Sequence, residues 1–253
     1  MTLEQFFSEY SEVAIGFSGG TDSSYLLYSA LRYAKRVRAY YVKTVFQPQF
    51  ELDDAQLLAG LLGTEITVIT VAVLEVPRIT ENPENRCYYC KTALFSAIAK
   101  QAAADGFSVL LDGTNASDRL TDRPGMKALK ELHVHSPLRD CGFTKQDIRR
   151  LSREAGLFTW NKPAYACLAT RIPSGRRIDA DMLARVEHAE NKLFSLGFSD
   201  FRVRVLGSAA KLQFVSRQMT EAFTRREEIK KELSVYFKDI LLDLTPRQEE
   251  QIV

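Results

Sequence analysis

The chain has 253 residues, with 34 Lys+Arg against 32 Asp+Glu, 45% hydrophobic and 26% charged residues. These proportions exclude a disordered chain and leave ample length for a buried core. A net charge of +2 gives no electrostatic pull toward a polyanion, and no basic–apolar leader or apolar run of about 20 residues is present, so neither nucleic acid nor membrane is an expected partner. A cytoplasmic protein is expected, in which four cysteines are metal-binding, catalytic or inert sooner than disulfide-bonded.

Val13–Phe17 reads as a short apolar strand. It runs into Ser18-Gly19-Gly20-Thr21-Asp22-Ser23-Ser24, rich in glycine and hydroxyl groups, and then into a helix over Ser23–Ala34. Two adjacent glycines let the backbone turn tightly against a ligand. Successive N–H groups at a helix start form an anion site. No lysine sits in the loop, so it is neither G-x-x-x-x-G-K-[ST] nor G-x-G-x-x-G. The plain alternative is a serine-rich turn with Thr21 or Asp22 as helix cap.

Val37–Thr44 is a second strand, Asp53–Leu62 a helix, Glu65–Val71 a strand rich in β-branched residues, Lys91–Ala104 a helix and Ser108–Leu111 a strand. This β–α–β–α–β order predicts a parallel sheet covered on both faces, with ligands at the carboxyl ends of strands. The loop after strand one, Asn82–Cys90 and Asp112–Asp118 all fall on that edge. Lys145–Glu154 is a helix capped by Thr144, and Phe158–Arg177 an ordered loop closing a first domain over residues 1–175. Residues 176–253 read as a smaller α/β domain. It holds a helix (Asp179–Leu196), two strands (Phe201–Leu206, Lys211–Val215), a helix (Thr220–Leu233) and a strand (Tyr236–Leu241).

Four stretches could carry chemistry. Cys167 lies near Arg171, Arg176 and Arg177, cations that favour a reactive thiolate, although a thiol packed between Ala166 and Leu168 is the plain alternative. Cys87 and Cys90 form a C-x-x-C pair. It is half of a metal or iron–sulfur site, with His133 and His135 as formal partners, or a redox pair, or a tight loop presenting Arg86 and Lys91 to phosphate. The loop is the preferred reading, and isolated Cys141 reads as a core residue. Asp112 offers a hard oxygen ligand for Mg²⁺ and equally an Asx-type turn. Arg202 and Arg204, two apart on a strand, form a fork for phosphate or carboxylate, or a solvated face.

Together these stretches resemble a known family. S-G-G-x-D-S at Ser18–Ser23 is similar to the PP-loop of ATP pyrophosphatases. With N-R-C-Y-Y-C-K at Asn85–Lys91, D-G-T-N at Asp112–Asn115, K-P-x-x-A-C-L-A-x-R-I at Lys162–Ile172 and the strand Phe201–Val205, nearly the whole chain resembles the ATP-dependent sacrificial sulfur transferases. Those serve assembly of the nickel-pincer cofactor of lactate racemase. The resemblance implies an α/β fold, an adenine nucleotide alpha hydrolase-like parallel sheet with a smaller C-terminal α/β domain. It implies ATP and Mg²⁺ as cofactors, and ATP bound by Ser18, Gly19, Gly20, Asp22 and Ser23. Arg202 and Arg204 would bind the phosphate of a pyridinium dicarboxylate mononucleotide.

In the implied reaction ATP adenylates a substrate carboxylate and Cys167 attacks the activated carbonyl. Elimination then leaves a thiocarboxylate product and dehydroalanine. Some relatives hold an iron–sulfur cluster on three cysteines. Here only Cys141 lies between Thr114 and Lys162, so the single-cysteine mode, with no resident metal cluster, is expected. A homo-oligomer, and contact with other cofactor-maturation proteins, are further implications. Other PP-loop activities, a tRNA thiolase or an amidating synthetase, are the rival readings, together with a nucleotide-binding regulator that has no chemistry.

Overall fold

The computed structural model describes residues 1–118 and 124–248. In chain order the elements are α1 (Leu3–Glu9), β1 (Glu12–Gly16), α2 (Thr21–Tyr33), β2 (Arg36–Lys43), α3 (Gln49–Leu61), β3 (Ile66–Thr70), α4 (Pro77–Thr80), α5 (Arg86–Ala104) and β4 (Leu110–Leu111). They continue with α6 (Pro124–Glu131), α7 (Pro137–Asp140), α8 (Lys145–Glu154), α9 (Ala180–Ser195), β5 (Phe201–Leu206), β6 (Ala209–Phe214), α10 (Ser216–Thr224), α11 (Arg226–Leu233) and β7 (Asp239–Leu242). The chain divides into two compact units. The first comprises Met1–Val73 and Asn85–Lys162, and the second Leu74–Glu84 and the described chain from Pro163 onward. The structure thus divides the chain at Lys162/Pro163. The sequence reading set a boundary at 175/176, and residues 249–253 of its second domain lie outside the described residues.

The first unit is built on a four-stranded sheet of order β3-β2-β1-β4, and every pairing is parallel. Alternation along β1 explains its two-sided burial. Val13 and Ile15 join a core with Phe6, Phe7, Leu26, Leu27 and Leu58. Ala14 faces the other way and packs with Tyr40, Ile98, Ala102 and Phe107. The parallel α/β class expected from the alternation of elements is therefore the observed one. β2 and β4 lie on opposite sides of β1, so strand order reverses there, and the loops after β1 and β4 leave a topological switch point together.

Several local expectations are corrected. α1 was not read from the sequence, yet Thr2 and Gln5 form a capping box in which each side chain caps the other's backbone N–H. α5 begins at Arg86, not Lys91, which places Cys87 and Cys90 on a helix rather than in a loop. The stretch 220–233 is interrupted: Arg225 ends α10 and caps α11 (φ −92°, ψ 18°). Its guanidinium donates to Leu196 O at 2.7 Å.

The second unit carries a three-stranded sheet of order β5-β6-β7, with β5/β6 antiparallel and β6/β7 parallel. α9 supplies Met182, Leu183, Val186, Ala189 and Leu193 to its buried interior. No helix among the described residues is long and apolar enough to cross a membrane.

Candidate functional sites

In the first unit the loop Phe17–Gly20 turns from β1 into α2. Gly19 holds φ +69°, the left-handed region that favours glycine. A Cβ there would lie 2.9 Å from the Cβ of Ala55 on α3. Gly20 is the N-cap of α2 and has no side chain to cap it. Its carbonyl instead accepts the hydroxyls of Ser23 and Ser24 at 3.1 and 2.8 Å. Ser18 and Ser23 hydroxyls lie 3.0 Å apart, and Gly20 N–H reaches Ser18 Oγ at 3.4 Å. Thr21 anchors the helix start by donating to Thr159 O at 2.8 Å. The structure thus brings Ser18, Gly19, Gly20, Asp22 and Ser23 together at one helix N-terminus, where anions are favoured.

The loop after β4 packs directly on this turn. A Cβ on Gly113 would fall 2.9 Å from the backbone nitrogen of Ser23. Asp112 is buried, and its carboxylate accepts the hydroxyls of Thr114 at 2.5 Å and Ser136 at 2.6 Å. Both oxygens are therefore engaged by side-chain hydroxyls, one of them on Ser136 ahead of α7, rather than by the backbone N–H groups of an Asx-type turn. Asn115 Oδ1 accepts Ser117 N–H at 2.8 Å, and Asp118 accepts Asn115 N–H at 3.0 Å.

Asp22 meets a residue the sequence did not single out. Lys145 Nζ lies 3.0 and 2.9 Å from its two carboxylate oxygens. Burial raises the Asp22 carboxyl above its usual range, with the nearby charge of Asp118 adding, while Lys145 pulls it back down. Lys162, quoted in the sequence motif without a role, lies 2.7 Å from Asp54 and 3.5 Å from the carbonyl of Gly19.

In the second unit Cys167 is half-buried and caps a 3₁₀ turn, Leu168–Arg171. Its carbonyl accepts the N–H and hydroxyl of Thr170 at 2.9 and 2.8 Å. Arg171 turns back beneath it, donating to Ala166 O at 2.9 Å and pairing with Glu190 of α9 at 2.7 Å. Arg171 and Glu190 side chains are each 1% exposed. Glu190 also accepts Val203 N–H at 2.9 Å and the Tyr165 hydroxyl. Burial works against the Arg171 charge, but Glu190 more than offsets it and holds the guanidinium above its usual range. The Tyr165 ring lies 4.7 Å from the Arg171 guanidinium and 5.2 Å from that of Arg202.

Arg202 and Arg204 share a face of β5 but differ in setting. Arg202 is buried and donates to Phe201 O at 2.6 Å and to Ala164 O. Burial, with Arg171 next, lowers its pKa to about 10. Arg204 is exposed on its strand and reaches Thr170 O at 2.8 Å. From α4 the chain enters Asn82, held at φ +56°, whose amide donates to Ile172 O at 3.3 Å and Pro173 O at 2.8 Å. The loop that follows Cys167 is thus braced by a segment far earlier in the chain.

The formal set Cys87, Cys90, His133 and His135 is not assembled. Among the described residues no group of three or more His, Cys, Asp or Glu is placed to hold a metal ion. His133 sits in a turn at φ +52° and His135 in an isolated bridge to Leu111, so the two do not lie on one strand. Cys141 packs against the core, and burial raises its thiol pKa.

The sequence reading gave no role to Lys145, Tyr165, Glu190 or Asn82. Only Glu190 carried a usable signal: an acidic residue on the core-facing stripe of a helix needs a buried partner.

The family model described as asparagine synthase matches residues 9–248. A Synechocystis protein of unassigned function is 35% identical over 222 residues, 87% of this chain and 82% of that one. The pyridinium-3,5-bisthiocarboxylic acid mononucleotide synthase of Lactiplantibacillus plantarum is 32% identical over 246 residues, 96% of this chain and 89% of that one. A tRNA-specific 2-thiouridylase of Thermotoga petrophila is 23% identical over 193 residues, 60% of this chain and 54% of that one.

Proposed function

Because the chain belongs to the PP-loop family of ATP-dependent enzymes, in its sulfur-transferring group, we propose that it converts a carboxylate of a pyridinium dicarboxylate mononucleotide into a thiocarboxylate, with Cys167 as sulfur donor. The observation that carries this reading is Cys167 itself. It is a half-buried thiol on a loop fixed by a fully buried ion pair, in a chain 32% identical over 96% of its length to a synthase of a bisthiocarboxylic acid mononucleotide.

Ser18, Gly19, Gly20, Asp22 and Ser23 hold the ATP phosphates through backbone N–H groups and hydroxyls at the start of α2. The Asp22 carboxylate is a hard oxygen donor of the kind Mg²⁺ takes, and the ion would supply charge neutralisation of the phosphates there. The substrate carboxylate attacks the α-phosphorus of ATP, forming an acyl-adenylate and releasing pyrophosphate. The Cys167 thiolate attacks the acyl carbon and releases AMP, leaving a thioester. Loss of the proton on the Cys167 Cα then breaks its Cβ–S bond, so that sulfur leaves with the product and dehydroalanine remains. Arg171 interacts electrostatically with Cys167, and the thiolate is the form in which a cysteine attacks. Arg204, exposed, with Arg202 behind it on the same strand face, binds the phosphate of the mononucleotide.

Intact-protein mass spectrometry after incubation with ATP and substrate tests the reading. The expected result is a loss of about 34 Da confined to the Cys167 peptide, the mass of hydrogen sulfide removed from cysteine. Thiocarboxylate formed by a protein of unchanged mass would overturn the sacrificial chemistry.

A further inference from the structure

The face of the β5-β6-β7 sheet that bears Arg202 and Arg204 also carries a chain of polar side chains ending on Arg204. In the ladder Arg204 stands opposite Lys211, and Gln213 stands opposite Arg202, diagonal to Arg204. Long side chains reach such a diagonal neighbour. Arg204 Nε donates to Gln213 Oε1 at 2.5 Å, and Gln213 Nε2 donates to Asp243 Oδ2 at 2.8 Å. Asp243 follows β7, and Lys211 Nζ and the Thr245 N–H reach it at 3.0 and 3.1 Å.

The relay has a direction. Asp243 is held at a pKa of about 2, first by Gln213 and then by Lys211, so at neutral pH it is a carboxylate and can only accept. Gln213 must therefore turn its NH₂ to Asp243, which leaves its carbonyl facing Arg204. A second arm holds the same guanidinium: Arg204 Nη1 donates to Thr170 O at 2.8 Å. Thr170 is the residue whose N–H and hydroxyl close on the Cys167 carbonyl. Arg204 is thus fixed at two points, one on β6 and one on the turn that Cys167 caps. Its other N–H groups have no acceptor among the described residues.

The order of the charges matters. A carboxylate seated directly on Arg204 would aim the guanidinium but also neutralise it. Here a neutral amide does the aiming, and the charge of Asp243 is met by Lys211. Arg204 keeps its charge for an anion from outside. We propose that Gln213, oriented by Asp243, is a positioning residue of the mononucleotide site, aiming Arg204 at the substrate phosphate and keeping it in register with the Cys167 turn. This rests on the reading of Arg204 as the phosphate-binding residue.

The test is titration calorimetry of the full chain with the pyridinium dicarboxylate mononucleotide and, separately, with its phosphate-free nucleoside. Wild type, Q213L, R204M and the Q213L/R204M double variant are compared. Q213L is expected to weaken mononucleotide binding roughly 5- to 20-fold, with nucleoside affinity unchanged within about twofold. In the R204M background the Q213L change should cost less than about twofold more, because Gln213 acts through Arg204. Q213E, which places a carboxylate on the guanidinium, should bind the mononucleotide more weakly than Q213L does. Mononucleotide binding to Q213L at wild-type affinity would overturn the proposal. So would an equal loss of both ligands, which marks a structural role, or a full further loss in the R204M background. If Q213L fails to fold, Q213M is read in the same way. An R204M protein that binds the mononucleotide as wild type does would sink the phosphate reading itself, an outcome told apart from a harmless Q213L in a chain where R204M alone costs affinity.

Discussion

Arg171 and Glu190 form an ion pair 2.7 Å long in which both side chains are almost fully excluded from solvent. Glu190 is also the acceptor for Tyr165 and for the backbone of Val203. One carboxylate therefore links the Cys167 loop, α9 and β5. Removing one partner of a buried pair leaves the other charge uncompensated. Glu190→Ala is expected to cost about 3–5 kcal/mol in urea denaturation. The double change Arg171→Met with Glu190→Leu should cost much less than Glu190→Ala alone, because no charge is stranded.

Cys167→Ala separates the two halves of the proposed chemistry. Adenylation uses no thiol, so substrate-dependent exchange of labelled pyrophosphate into ATP should continue within about twofold of wild type. Thiocarboxylate should not form at all. Exchange abolished by this single change would argue that Cys167 supports the nucleotide site rather than donating sulfur.

Gly113 has no room for a side chain, because its Cβ would press on the backbone of Ser23, an atom that cannot rotate away. Gly113→Ala is expected to cost roughly 1–3 kcal/mol by overpacking. Its effect on ATP affinity should exceed its effect on stability, since the displaced atoms belong to the turn proposed to hold the ATP phosphates. Calorimetric titration with ATP beside a thermal melt checks the ratio.

Asp243 provides a pH-dependent handle on the second unit. It accepts from Gln213 at 2.8 Å, Lys211 at 3.0 Å and the N–H of Thr245 at 3.1 Å. Of these, the Gln213 hydrogen bond is the largest cause holding its pKa at about 2, below the ordinary 3.8. A carboxyl depressed in the folded state stabilises it above the unfolded value and loses that contribution as pH falls through the folded one. Asp243→Asn should therefore melt a few degrees below wild type at pH 7. The two melting curves should converge as pH falls from 3.8 to about 2.

The parallel sheet and the loop after β1 were legible because both are written locally. Strand, glycine turn and helix start occupy one contiguous stretch, Val13 to Tyr33, and hydrophobic alternation reports its strand. Asp112 and Gly113 could be placed on the same edge from topology alone. Lys145 could not, since its partner Asp22 lies 123 positions away and a lysine beginning a helix is otherwise unremarkable. The C-x-x-C pair was misplaced into a loop because the apolar pattern of α5 starts only after it, while backbone hydrogen bonding extends the helix back to Arg86. The differing settings of Arg202 and Arg204 were likewise hidden. Strand periodicity fixes the face they share, but only packing decides which of two same-facing arginines is covered.

The amide of Asn82 closes on carbonyls 90 and 91 positions downstream. During translation the brace for the Cys167 loop is thus made long before the loop it holds, and a fragment beginning at Pro163 would lack it. Closing so long a span is slow compared with local contacts. In the single-use chemistry proposed above, every product molecule requires a newly synthesised chain. The pace at which that long-range clasp forms then belongs to the supply of active sulfur donor, so maturation of the polypeptide becomes a step of the reaction itself.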